Sequence, residues 1–293
     1  MHLRLRQTES PSQAVRRVCR RHVAQALASL ARAHQPEGVH EVRKEIKRLR
    51  AIFRLTRGRR SQNEHRKTAK LMRLAAKPLA LSRDARVTRK AFESLVGRRA
   101  RQFPSLQSAL NTYCRHAERS FKAQDFAALT RFILKKTDGR LDDWEPQRAG
   151  WAEIKACLKR SYTCGRNACR LARSKPEPDH FHEWRKAVKN LWYQLDFLCP
   201  NWSPQTKAML EGLEKLGEQL GEEHDLVLLE SFAKEHAELR QETALLQHLI
   251  DAQRGRFGKR VQQLGSRLYA AGPETTCGQL ERAWKAWRKP RAP

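Results

Sequence analysis

Residues 39–50 read VHEVRKEIKRLR and residues 181–192 read FHEWRKAVKNLW, so His-Glu-x-Arg-Lys-x-x-Lys is written twice at an offset of 142 residues. This repeat constrains the fold more than any other feature, because both copies carry the same helical period. Advancing 100° per residue from His40 gathers Val39, Val42, Ile46, Leu49 and Phe53 in one sector. His40, Arg43, Lys44, Lys47, Arg50 and Arg54 fill the adjoining sector, while Glu41 and Glu45 fall beyond the apolar one and relieve little of that charge. In the second copy Phe181, Trp184, Val188, Leu191 and Leu195 form the apolar stripe. His182, Arg185, Lys186 and Lys189 form the basic one, continued by Tyr193 and Asp196. Each copy therefore reads as a helix with a buried face and a cationic edge beside it.

Two more segments repeat in the same order. Val15-Arg16-x-Val18-x-Arg20-Arg21 matches Ile154-Lys155-x-Cys157-x-Lys159-Arg160, and Leu79-Ala80-x-x-Arg83-Asp84 matches Leu220-Gly221-x-x-His224-Asp225. Their offsets, 139 and 141, stand close to 142, which implies an internal duplication into two pseudosymmetric helical bundles. Ala, Leu, Arg, Lys, Glu and Gln dominate the chain, β-branched residues are scarce, and no run alternates as a strand does, so the class is all-α. Helices are predicted at about 10–33, from His40 to near Gly58, and at 62–80, 84–101, 106–122 and 126–137. DGRLDDWEPQRAG (138–150) supplies the linker. Helices then follow at about 149–173, behind Asp179 as an N-cap, and after Ser203-Pro204, with two or three more to the closing LERAWKAWRK. One domain over 10–288 results, made of half 1 (10–140) and half 2 (149–288).

Charge narrows the partner. Sixty Lys and Arg against thirty-one Asp and Glu leave +29, and such a body is stabilised by a polyanion: nucleic acid, an anionic membrane surface or inorganic polyphosphate. Like charges at i, i+3 and i+4 cost roughly 0.2–0.5 kcal/mol per pair, and a solvated face would interleave signs. The unmixed edge makes sense if an anion lies along it. The first helix of each half repeats the pattern with Arg16, Arg17, Arg20 and Arg21, and with Lys155, Lys159, Arg160 and Arg166. An Asp follows each motif His, at Asp84 and Asp225. A carboxylate repels phosphate, so these two are expected behind the site, orienting a His or Lys or bracing an Arg.

Sharper chemistries fail on specific residues. Lys44 and Lys186 stand where the second zinc-binding His of HExxH belongs, which excludes a metalloprotease. HEVR resembles the phosphoacceptor box of sensor histidine kinases, but Thr-Pro-Leu does not follow and no glycine-rich ATP box occurs, so phosphotransfer through His40 or His182 is not expected. There is no Walker loop around Gly258-Lys259 and no GxSxG. A binding protein without cofactor or metal is expected. The seven cysteines form neither CxxC nor a zinc pattern and read as reduced core residues. With no apolar stretch of spanning length and no hydrophobic region behind MHLRLRQTES, the expectation is a cytoplasmic protein.

The paired His-x-x-Arg-Lys-x-x-Lys helices, the Leu-x-x-x-Arg-Asp and Leu-Gly-x-x-x-Asp segments and the duplicated helical plan together resemble the CHAD domain, the conserved histidine α-helical domain. The likeness runs over about 10–288. It implies two helical halves around a basic pore or groove that binds inorganic polyphosphate, in association with polyphosphate granules and without catalysis of its own. Some CHAD domains are fused to a triphosphate tunnel metalloenzyme; no acidic strand signatures of that kind occur here, so the stand-alone form is expected. By matching position, His40, Arg43, Lys44, Lys47, Arg50 and Arg54 would line one wall and His182, Arg185, Lys186 and Lys189 the other, with Arg20, Arg21, Lys159 and Arg160 at the rim. The second copy departs at its far end, where Asn190, Trp192 and Asp196 replace Arg48, Arg50 and Arg54. The alternative partner is RNA or single-stranded DNA, which would call for aromatic faces among the cations; only Trp192 and Tyr193 come near.

Overall fold

The computed structural model describes residues 3–32, 36–56, 62–142, 150–198 and 202–289, and every regular element among them is helical. The helices are α1 (Pro11–Leu30), α2 (Pro36–Phe53), α3 (Gln62–Ala76), α4 (Ala80–Val96), α5 (Pro104–Ala123), α6 (Phe126–Asp142), α7 (Trp151–Ser174), α8 (Pro178–Leu198), α9 (Pro204–Glu235), α10 (Arg240–Leu268) and α11 (Pro273–Arg288). Two short 3-10 turns, Arg54–Thr56 and Gly97–Gln102, follow α2 and α4. Proline opens several helices, where its missing N–H costs nothing and its φ is already helical. Ser10 and Ser203 cap α1 and α9 by accepting from the backbone of Gln13 and Thr206, whose side chains reach back to the cap backbone. Gly97 ends α4 at φ 49°, a left-handed value that favours glycine.

The apolar sectors read from the sequence are the ones buried. Val39, Val42, Ile46, Leu49 and Phe53 on α2 are inside, as are Phe181, Trp184, Val188, Leu191 and Leu195 on α8. In one group α1 packs on α2 and α6, and α3 closes against α6 and α2; in the other, α8 packs on α7 and α9, α10 on α9 and α7, and α11 on α7. The groups meet along two main seams, α2 with its 3-10 turn on α8 and α7, and α4 on α9. A separate core reinforces the second seam, with Phe92, Val96, Phe103, Leu106 and Leu110 facing Leu226, Leu229, Phe232, Leu246 and Ile250. Trp184 is fully buried because Gly265 leaves it room: a Cβ there would meet its ring at 2.5 Å and Cys169 Sγ at 2.8 Å. Trp284 of α11 stacks on Trp151 at 5.0 Å and meets Trp202 edge-on, capping that end of α7.

Several boundaries differ from the predicted ones. α1 stops at Leu30, and α2 gives way to a 3-10 turn at Arg54 rather than running to Gly58, which lies outside the described residues. α6 runs through Asp142, so the first part of the predicted linker is helix, held because Thr137 and Leu141 are buried and Arg20 binds Asp138 and Asp142. The rest of that linker, 143–149, lies outside the described residues. Asp179 is not the N-cap of α8 but sits in its first turn, behind Pro178, where it still complements the helix dipole. Of the cysteines, 19, 114, 157, 169 and 277 are free and buried and Cys164 is free and exposed; Cys199 lies outside the described residues. Among the described residues no helix is long and apolar enough to cross a membrane.

Candidate functional site

Where α2 crosses α8, the two cationic edges face each other across a cavity of about 320 Å³. Arg43, Lys47, Arg50 and Arg54 come from α2 and its 3-10 turn, Arg185, Lys186 and Lys189 from α8, and Arg83 from α4. Ala51, His182, Asn190, Tyr193 and His224 complete the lining among the described residues, and no carboxylate is among them. The helical period that buries Val42, Ile46 and Trp184 thus turns the neighbouring sector into this space.

The charges crowd one another. Lys47 is exposed to the solvent of the cavity, yet the protein packed around it, with Arg185, Arg43, Arg83 and Lys189 nearby, pushes its pKa down to about 7. Burial and then Arg54 and Arg73 bring Arg50 down to about 10, and burial lowers Arg43, Arg185 and Lys189 as well. Among the described residues Lys47, Arg50 and Arg185 have no ion-pair partner, while one Arg43 N–H donates to Ala76 O at 2.9 Å. Two glycines let the α8 cations lie close against α9. A Cβ on Gly217 would meet Lys189 Cε at 2.8 Å, and one on Gly221 would meet Arg185 Nη2 at 3.1 Å.

Carboxylates stand behind this layer. Arg83 donates to Asp84 at 2.9 Å and to Asp225 at 3.5 Å, so both Asp converge on a single guanidinium. The braced arginine belongs to α4, not to the α2 or α8 edge. Burial raises the Asp225 pKa against the pull of Arg83 and Arg185. His224 approaches Arg83 at 3.4 Å and packs on His182 with ring centres 4.4 Å apart. Burial and then Arg185 and Arg83 push His224 down to about 3, so it stays neutral and can accept from Arg83. His182 is likewise held below the usual imidazole value, by burial first and then by Lys186 and Arg185.

The structure does not bring every sequence-predicted residue to the cavity. His40 lies at the exposed head of the α2 edge, outside the lining. Partial shielding, with Lys44, Lys47 and Arg86 near, holds its imidazole low against Glu41. Lys44 turns back to Glu41 at 3.2 Å, and Lys186, at the cavity mouth, turns to Glu183 at 2.5 Å. The motif Glu therefore steadies the motif Lys in each copy, which corrects the expectation for Glu41. Glu45 does stand apart, buried with His22 and Arg48; burial alone would raise its carboxyl, but those two hold it low.

Arg20, Arg21, Lys159 and Arg160, on α1 and α7, are not among the residues that line the cavity. Arg20 is bound to Asp138 and Asp142 of α6 and Lys159 to Glu274 of α11, so their charge is already met. Asp196 also points elsewhere, to Arg4 at 2.8 Å, and Trp192 lies under Lys189 with its ring centre 4.8 Å from Nζ.

A family model for the CHAD domain matches residues 14–234, well over half of the chain. The chain belongs to the CHAD domain family. The crystal structure of the CHAD domain from the plant Ricinus communis is similar at a TM-score of 0.56 and 16% identity, covering 100% of this chain and 96% of that one, which establishes the fold. No curated protein matches the chain. In this CHAD chain the sequence reading missed Arg83 and His224 as lining residues. Their signal was present, since each immediately precedes one of the paired Asp in the third repeated segment.

Proposed function

We propose that this CHAD chain binds inorganic polyphosphate in the cavity between α2 and α8, as a binding protein and not as an enzyme. The observation that carries the reading is a lining of eight Lys and Arg, contributed by α2 and its 3-10 turn, α8 and α4, without one carboxylate among the described residues. A linear phosphate chain offers about one charge per unit and many acceptor oxygens, which suits Arg forks and Lys point charges. It also offsets the shielding from water, and then the mutual repulsion, that hold Lys47 and Arg50 low. Polyphosphate binding is the known property of the family, and targeting to or regulation of polyphosphate granules in the cytoplasm is the role that fits it. The alike packing of α1 on α2 and of α7 on α8 supports descent of the two halves from one duplicated unit.

Nucleic acid is the competing partner. The aromatics near the cations are poorly placed for stacking bases: Trp184 is fully buried, Tyr193 nearly so, and Trp192 lies beneath Lys189. Titrating the protein with long-chain polyphosphate in the presence of labelled RNA tests the reading. Displacement of RNA at equal phosphate concentration is expected, with Arg43→Glu plus Lys47→Glu abolishing retention while the helical circular dichroism persists. Preference for RNA, or retention unchanged by that double reversal, overturns it.

A further inference from the structure

We propose that the anion path continues past the α2–α8 cavity, over the edge formed by Arg50 and Arg54, into a second basic recess between α2 and α3 that engages only long phosphate chains. This rests on the reading of the first cavity as a polyphosphate site. The second recess, of about 220 Å³, is lined by Arg50, Arg54, His65, Arg66, Ala69, Met72 and Arg73. Arg50 and Arg54 line both spaces, so a chain leaving the first meets no cation-free gap before the second.

The recess follows from the spacing on α3. Arg66 and Arg73 are two turns apart on one face, and the small Ala69 between them leaves the hollow. Its floor is fixed: Met72 is fully buried, and His65 stacks on Phe53 at 4.4 Å and donates from Nε2 to Phe53 O at 3.2 Å. No carboxylate is among the described lining residues, and neither Arg66 nor Arg73 has an ion-pair partner among the described residues. Arg66 and Arg73, without counter-charge among the described residues, face a rigid hollow that a flexible polyanion would fill. On α8, Trp192 and Asp196 occupy the positions of Arg50 and Arg54 and are engaged with Lys189 and Arg4. The path therefore leaves the cavity on the α2 side.

The test compares tripolyphosphate, short enough for the first cavity, with long-chain polyphosphate, by calorimetry on the full chain. Arg66→Gln with Arg73→Gln should weaken the long chain about tenfold and lower its log–log salt slope by about 1.4, two phosphates' share for a single strand, leaving tripolyphosphate unchanged. Arg98→Gln with Arg101→Gln removes the same charge from the exposed 97–102 turn and should cost far less. Ala69→Gln, which fills the recess without altering charge, should reproduce the split. Equal losses for the two ligands, or a long-chain loss no greater than in the 98/101 control, overturn the extension while sparing the first site. A wild-type chain that binds neither ligand overturns the first-site reading and the extension with it.

Discussion

The two motif helices begin alike and end differently. At their heads Arg43 and Arg185, and Lys47 and Lys189, face one another across the same cavity. At their far ends α2 continues into Arg50 and Arg54, whereas α8 offers Asn190, which accepts from Arg54 at 2.7 Å, and then Trp192 and Asp196, which are turned to other work. The copies thus share one cationic end and divide at the other. Similar packing, α1 on α2 and α7 on α8, positions both helices, and side-chain identity alone sets their far ends apart.

The largest effect should come from the shared ends. Reversing Arg43 and Lys47 to Glu, or Arg185 and Lys189 to Glu, removes two charge-assisted contacts and adds two repulsive ones. Either pair should cost about a hundredfold or more in polyphosphate affinity, since a hydrogen bond to a charged group contributes about 1.5–3 kcal/mol. Equilibrium binding of both variants beside wild type checks this. A large loss for one helix and none for the other would break the idea of a shared cavity.

Next is pH. Lys47, held near 7, must gain a proton to meet an anion, so affinity should fall by up to about tenfold per pH unit above 7 and level off below it. Folding moves oppositely: between about 7 and the unfolded value of 10.5 the unfolded chain binds more protons, so Lys47 makes the free protein more stable as pH rises. Lys47→Arg should flatten the pH dependence of binding, while Lys189→Arg should retain it. Calorimetry in buffers of different ionisation enthalpy reads the proton uptake directly, and its absence in wild type would remove Lys47 from the contact.

The divided ends predict a smaller asymmetry. Arg54→Gln should weaken long-chain binding about fivefold, roughly one hydrogen bond. Asp196→Asn should leave binding unchanged and loosen only the contact to Arg4, half exposed and small in energy. Fluorescence competition separates the two; equal losses would mean that the far end of α8 also meets the ligand.

The class of fold and the core of the site were legible because one period carried both: residues spaced to bury Val42, Ile46 and Trp184 necessarily set Arg43, Lys47 and Arg185 on the adjoining face. What the pattern could not supply was partnership across helices. Arg20 and Lys159 repeat as faithfully as the motif cations, yet Asp142 on α6 and Glu274 on α11 meet them, and nothing in the local spacing announces those carboxylates. Arg83 was hidden for the converse reason, since α4 also carries Arg86, Arg89 and Lys90 and only the convergence of Asp84 and Asp225 at the α4–α9 seam singles Arg83 out. Helix ends were misjudged where tertiary packing extended them, as Thr137 and Leu141 extend α6.

The smallest effect concerns the backbone beneath α8's cations. Gly217 and Gly221 are helix-interior residues of α9, where glycine costs up to about 1 kcal/mol relative to alanine. They leave space that the stems of Lys189 and Arg185 occupy. Alanine at 217 would strike Lys189 Cε at 2.8 Å, the far end of a flexible side chain, so the chain can swing away at little cost to folding but no longer lies in its place. Gly217→Ala should therefore raise thermal stability slightly and lower polyphosphate affinity about threefold, with Gly221→Ala, at 3.1 Å from Arg185, giving the same signs more weakly. Stability and binding moving in opposite directions would mark these glycines as making room for the cations. If both rise together, the close approach is incidental and α8 holds its charges without help from α9.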